Sequence, residues 1–376
     1  MKKQYFMMAI AATMFAACSQ TEVIDEVVDN STPKSIGFNT FVDKSTRAGV
    51  NSTKLNDFYP TFNVYGWKSI DGGANWQNVF DNVTNEYFEN DGAGTVVYTS
   101  GKPSNEWTVT DPFKPAWYYA GIRYWDKLAT NYQFCAYAPI AASSEVVATS
   151  EGVIKIGTET APITVDGKNL QATPTNALIY SGFDKDYMTA VSTEKQEEVD
   201  LTFTHELAKL NVKVQKDASY KSTQALFITT LEILNLKNQG YFVRNATPSK
   251  TWTVSTSSTE GTFAMGAGNR NLANPADDDK KYVIEQLLLP QGIKKATTAS
   301  STAEFTEACV HITYTIGTEV FDGYYALNNI FDNANDYTFE GGNEYTLTIT
   351  VGPAPIHFTP SVTAWTEGAD KNLKVD

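Results

Sequence analysis

Along most of this chain apolar and polar residues alternate with period two, the spacing that sends successive side chains to opposite faces of a strand. The stretch "SIGFNTFV" puts Ile36, Phe38, Thr40 and Val42 in one phase. "FNVYGW" does the same with Phe62, Val64 and Gly66, and "NYQFCAYAP" with Tyr132, Phe134, Ala136 and Ala138. "GTVVYTS" and "NEWTVTDP" read as short strands bounded by Gly, Asn and Pro. Further on, "VDLTFTHELAKLNVKVQ" alternates Leu201, Phe203 and then Leu207, and changes phase to Leu210, Val212 and Val214. That shift predicts a bulge or a strand that changes sheets. "QALFITTLEILNL" and "KYVIEQLLLPQG" are further strand segments, and "CVHITYTIG" turns Val310, Ile312, Tyr314 and Ile316 inward. "NEYTLTITVGP" sets Tyr345, Leu347, Ile349 and Val351 against outward Thr346, Thr348 and Thr350. In the last strand, "PIHFTPSVTAW", Ile356 and Phe358 alternate, as do Val362 and Ala364. "SSTEGTFAMGAGNRN" and "NPADDDKK" read as solvated connections, and no long stretch carries the 3.6-residue period of a helix.

Short strands broken by frequent turns predict an all-β chain, two antiparallel β-sandwich domains in tandem. Length agrees, because 376 residues exceed what one hydrophobic core usually serves. The charged break "STEKQEEVD" sets a boundary near residue 198, giving an N-terminal domain over 48–198 and a C-terminal domain with its tail over 199–376. Only 19% of residues are charged, so Thr, Ser and Asn must supply much of the surface, as in β-rich extracellular proteins. The formal net charge of −14 repels phosphate backbones and argues against nucleic acid as a partner.

The first residues, "MKKQYFMMAIAATMFAACSQ", have two lysines, an apolar run too short to span a bilayer, and then small residues. This is the layout of a secretory signal over residues 1–17. "FAAC" resembles a lipoprotein acylation site, with Cys18 as the acylated residue and Phe15 in place of the usual Leu. Several acyl chains would anchor firmly, since each buried CH2 adds ~0.8 kcal/mol. Residues 18–47 then form an acidic tether and a first strand. The other two cysteines, Cys135 and Cys309, sit in apolar, strand-like contexts and read as free buried thiols.

No catalytic constellation emerges. His205, His311 and His357 each lie in an alternating strand, His205 in phase with Leu201 and Phe203 and the others on polar faces. No His or Cys pair has zinc-like spacing, and the acidic run Asp277 to Asp279 lacks the spaced ligands of a calcium loop. "GAGNRN" and "DGAGTV" lack the strand and third glycine of a dinucleotide loop. The expectation is a protein that is not an enzyme and uses no metal or cofactor. Trp67, Trp76, Trp107, Trp117 and Trp125 allow a second reading as a sugar-binding platform, although aromatics at such positions are more often core.

The ordered set of motifs resembles the fimbrillin family, the pilus subunits of Bacteroidales. The resemblance rests on the signal ending at Cys18, on "IGFNTFV…STRA" followed by "FNVYGW", on "YW…NYQFCAYAP", on "LTFTHELAKLNVKV", and on "NEYTLTITV…TAWTEG". It implies two transthyretin-like β-sandwiches and a structural or accessory subunit, stalk or tip, that assembles into a fimbria with other subunits. It also implies an outer-membrane lipoprotein precursor that a surface protease cuts after Arg47, so that Ala48 becomes the first residue. Ile36, Phe38, Thr40 and Val42 would then belong to the strand that leaves, and Ile356, Phe358, Val362 and Ala364 to a candidate donor region. The rival expectation is an anchored surface lipoprotein that binds glycans or host ligands.

Overall fold

A computed structural model describes residues 34–42, 55, 59, 61–80, 93–99, 116–119, 123–141, 145–165, 185–193, 195, 198–218, 220, 224–245, 249–264, 270–272, 284–332, 335–352 and 356–364. The first part of the chain contributes β1 (Gly37–Val42), β2 (Thr61–Ser69), β3 (Gln77–Asn78), β4 (Ala93–Thr99), β5 (Ala116–Tyr118) and β6 (Asn131–Ala138). Three short strands follow, β7 (Val146–Ala148), β8 (Ile154–Ile156) and β9 (Ile163–Thr164), and then β10 (Met188–Ser192) and β11 (Glu198–His205). One sheet takes the order β1-β11-β10-β6-β2-β4-β5, with β3 paired to β2.

The centre of this sheet is buried on both faces, which simple alternation does not anticipate. Phe62 and Val64 of β2 and Tyr132, Phe134, Ala136 and Ala138 of β6 face one core. Tyr65, Cys135 and Tyr137, from the opposite phase, face a second. Gly66 is in phase with Phe62, and its missing side chain makes room for rings. A Cβ there would lie 2.8 Å from the Phe80 ring and 3.0 Å from that of Phe134.

The rest of the chain supplies β12 (Ala208–Lys216), β13 (Leu226–Lys237), β14 (Gln239–Arg244), β15 (Lys250–Val254), β16 (Glu260–Ala264), β17 (Arg270–Asn271), β18 (Ile284–Leu288) and β19 (Gln291–Ile293). After these come β20 (Ser300–Ser301), β21 (Cys309–Ile316), β22 (Glu319–Ala326), a short helix α1 (Leu327–Phe331), β23 (Tyr337–Phe339), β24 (Asn343–Val351) and β25 (His357–Ala364). A four-stranded sheet, β18-β12-β24-β25, lies over a larger one, β16-β13-β21-β22-β20 with β17 on β13. Between them Leu210, Val212 and Val214 meet Val310, Ile312, Tyr314 and Ile316 and the inward residues of β24. A five-stranded sheet, β15-β14-β8-β7 with β9 on β14, joins strands from both halves of the sequence and closes the second core with Ile154, Ile156 and Phe242, and β19 pairs with β23 in a two-stranded one.

The phase shift in "THELAKL" is a change of sheet. β11 ends at His205 in the first sheet, and β12 begins at Ala208 in the four-stranded one. β11, which starts at the charged break, therefore runs with the first sheet. Among the described residues pairing is antiparallel except for β1 with β11 and β12 with β24. The segment read as a solvated loop, "SSTEGTFAMGAGNRN", instead contains β16 and β17, both paired to β13. Its small polar residues hide the pattern, but Phe263 enters the core and the edge of β13 supplies the backbone partners.

Candidate functional site: the groove of the first strand

Among the described residues β1 has one sheet neighbour. Gly37 through Val42 lie parallel to Glu198 through Phe203, one residue opposite each. Without it, β11 would present a row of unpaired N–H and C=O groups. Ile36, Phe38, Thr40 and Val42 are each 5% exposed or less. Ile36, Phe38 and Val42 share a core with Phe62, Phe134, Leu201 and Phe203. Phe38 stands edge-on to Phe62, Phe134 and Tyr119, with centroids 6.0, 6.0 and 5.7 Å away. Burying an Ile, Phe or Val side chain stabilises by about 1.5–3 kcal/mol each. Packing is therefore the main hold on this strand.

The residues just ahead of β1 are fixed from the far end of the same sheet. The Ile36 N–H donates to the carbonyl of Arg123 at 2.8 Å, and the Tyr119 hydroxyl donates to the carbonyl of Ile36 at 2.7 Å. Ser35 bridges Tyr124. Tyr119 follows β5 directly, so the two margins of the sheet meet at Ile36. Burial pushes the Tyr119 phenol up to about 12. Arg123 in turn donates from Nε to the carbonyl of Val79 at 2.9 Å.

Two polar residues of β1 have unequal fates. Asn39, on the outer face, donates from Nδ2 to Glu198 Oε2 at 2.6 Å and to Asp200 Oδ1 at 3.2 Å. Thr40 points inward, and its Oγ1 is buried with no hydrogen-bond partner. Sequence alternation identified the inward phase. It did not identify Tyr119, Arg123, Glu198 or Asp200, because these come from distant segments; the dense aromatics of "AWYYAGIRYW" were the one local signal of a packed junction.

Cys18, Arg47 and Ala48 lie outside the described residues. The candidate donor region falls on β25, which pairs antiparallel with β24 from His357 to Ala364. Ile356 and Phe358 pack against the core, with the Phe358 ring 4.8 Å from Tyr325. Val362 is exposed and Ala364 half-buried, so the far end of the strand overhangs that core. Pro360 fits an edge strand, where a missing N–H costs no ladder bond.

The other candidate chemistry is dispersed. His205 is buried, with Nδ1 2.8 Å from Asp186 Oδ2. His311 sits between Glu232 and Asp322, and His357 is exposed on β25. Among the described residues no group of three or more His, Cys, Asp or Glu is arranged to hold a metal ion. Cys135 and Cys309 are free and buried; burial pushes the Cys135 thiol up to about 12 and raises that of Cys309, which disfavours the nucleophilic thiolate. Trp67, Trp117 and Trp125 pack against cores, and Trp76 is half-buried.

Residues 46–365 match the fimbrillin-like family, a span that begins beyond β1. The chain is similar to the solved structure of a fimbrial protein from Bacteroides vulgatus, at 16% identity over 89% of this chain and 100% of that one, with a TM-score of 0.50. It is also similar to the tip fimbrial protein Mfa3 from Porphyromonas gingivalis, at 9% identity over 89% and 100% of the two chains, with a TM-score of 0.46. No curated protein matches the chain. All-β in its sheets and matched over most of its length, this chain belongs to the fimbrillin-like family.

Proposed function

We propose that this chain is a subunit of a cell-surface fimbria that joins its neighbour by exchanging β1 for an incoming strand. It is exported as an outer-membrane lipoprotein acylated at Cys18, and a surface protease cuts it between Arg47 and Ala48. The observation that carries this reading is the state of β1: among the described residues it is an edge strand with a single neighbour, yet its inward side chains fill the core of the first sheet. Its removal opens an apolar slot and bares one edge of β11. A strand from another subunit satisfies both, through backbone bonds and alternate side chains. Donation from one subunit to the next is heterologous and does not close, so repetition gives a filament. Arg47 lies shortly after Val42 among the small or polar neighbours Ser45, Thr46, Ala48 and Gly49, a sequence suited to a protease.

The test is the mature N-terminus of material sheared from the cell surface, together with its migration in unheated detergent gels. Wild type is expected to begin at Ala48 and to run as a ladder. Arg47→Ala is expected to stay acylated and run as one band. Filaments whose subunits begin at Cys18 would refute cleavage as the trigger.

A further inference from the structure

β1 is an imperfect fit to the groove it fills, and the two misfits specify a better occupant. The first is Thr40, whose hydroxyl is buried without a partner between the inward Phe38 and Val42. A buried polar group left unpaired costs about 1–3 kcal/mol, and an aliphatic side chain there would avoid that penalty. The second is Asn39, a neutral amide that donates to two carboxylates at once, Glu198 at 2.6 Å and Asp200 at 3.2 Å. Both acids project from the outer phase of β11 and are exposed, so they form an anionic rim beside the groove. A cation there would replace neutral hydrogen bonds with charge-assisted ones, which are shorter and stronger.

We infer that the groove selects for an incoming strand of another subunit with Lys or Arg at the position of Asn39 and a Val- or Ile-like residue at that of Thr40. This rests on the exchange reading above and adds which strand the groove prefers. Selection needs no particular strand direction. In either orientation the residue between two inward side chains faces Glu198 and Asp200. The rim acts first, by attracting the basic residue during encounter, and the aliphatic residue then favours the bound strand over β1.

Two measurements separate this preference from exchange itself. In the full-length, uncut chain, Asn39→Lys and Thr40→Val are each expected to raise Tm by about 2 °C. The Asn39→Lys gain should vanish in 0.5 M salt, because exposed pairs are screened, and also in the Glu198→Gln/Asp200→Asn background. The Thr40→Val gain should survive both. In the second measurement, the full-length chain is nicked after Arg47 by an arginine-specific protease. It is then challenged with synthetic peptides of residues 35–43, native or carrying both changes, and release of the resident fragment is followed by native mass spectrometry. The doubly changed peptide should displace β1 at about tenfold lower concentration than the native one. Equal potency of the two peptides, or no gain in Tm from either substitution, would overturn the preference while leaving exchange intact. Failure of every peptide to displace β1 would overturn exchange, and the inference about its occupant with it.

Discussion

The Tyr119 hydroxyl donates to the carbonyl of Ile36 at 2.7 Å, joining the two margins of one sheet. Tyr119 also places its ring 5.7 Å from Phe38 and 5.8 Å from Phe80. Tyr119→Phe therefore keeps the packing and removes the hydroxyl, with its bond to the Ile36 carbonyl and the one it accepts from the Arg123 N–H at 3.3 Å. The expected cost is about 1 kcal/mol, with the Ile36 carbonyl left inside. Hydrogen exchange checks where the loss falls: amides of Gly37–Val42 should exchange faster while those of β6 hold. Unchanged exchange in β1 would mean that packing alone holds the strand.

Alkaline pH provides a second handle on the same residue. Burial holds the phenols of Tyr119 and Tyr337 up to about 12, against an ordinary value of 10.0. The folded chain thus keeps protons that the unfolded chain gives up. Their contribution is whole below pH 10 and is lost as pH rises from there through about 12. Melting temperature is expected to fall steeply across that window. Tyr119→Phe should start lower and fall less, and parallel curves for the two proteins would refute the assignment.

Glu206 knots the first sheet to the β14–β15 hairpin. It is 1% exposed, and its Oε1 accepts from Thr204 Oγ1 and Lys250 Nζ, both at 3.0 Å, and from Thr189 Oγ1. Arg244 lies 3.7 Å from the same oxygen and donates to the Thr189 carbonyl at 2.8 Å. Glu206→Gln keeps the shape but leaves two cations facing an amide, at an expected cost of about 3 kcal/mol. Urea denaturation would measure it. Adding Lys250→Met should recover part of the loss, because the two side chains couple.

His311 provides a pH response in the other half of the chain. Its ring stacks on Tyr324 with centroids 4.2 Å apart, Nδ1 is 3.0 Å from Glu232, and Nε2 is 3.0 Å from Asp322. Desolvation lowers the imidazole pKa, but the two carboxylates outweigh it and leave the value above 6.5. The charged form is favoured on folding, so its stabilisation is fully present below pH 6.5 and is lost as pH rises through the folded value. An NMR titration should place the His311 midpoint above 6.5, and His311→Asn should flatten the dependence of Tm on pH. A midpoint at or below the ordinary value would contradict the clamp.

Local alternation encodes the face a side chain takes, and that much was legible. Tyr345, Leu347, Ile349 and Val351 are buried as their pattern required, and the shift between Phe203 and Leu210 marks a real change of sheet. Ile36, Phe38, Thr40 and Val42 likewise share the inward phase. Alternation does not encode the neighbour. The parallel pairing of β1 with β11 joins segments far apart in the chain, so nothing near Asn39 announces Glu198 or Asp200. Nor does it reveal a strand buried on both faces. Tyr137 lies in the phase opposite to Phe134 and Ala136, and only a second sheet covers it. β16 escaped because Gly261 and its polar neighbours resemble a loop, and only the pairing with β13 makes it a strand.

Phe38→Ala tests whether packing or the covalent link after β1 keeps the groove shut. Phe38 is the largest inward side chain of the strand, and it meets Phe62, Phe134 and Tyr119 edge-on. Truncating a buried Phe to Ala typically costs 3 to 5 kcal/mol, roughly what one side chain and its cavity contribute together. Loss on that scale rivals the whole hold of an edge strand with a single neighbour. In uncut Phe38→Ala, protection from hydrogen exchange should collapse for Gly37–Val42 and weaken in β11, while the core of β21 and β24 keeps its own. Synthetic β1 peptide should then bind the uncut variant but not uncut wild type, because only the variant offers an open slot. If the variant keeps β1 protected and refuses peptide, the backbone ladder to β11 and the Tyr119 bond hold the strand without Phe38, and cleavage after Arg47 becomes the indispensable step.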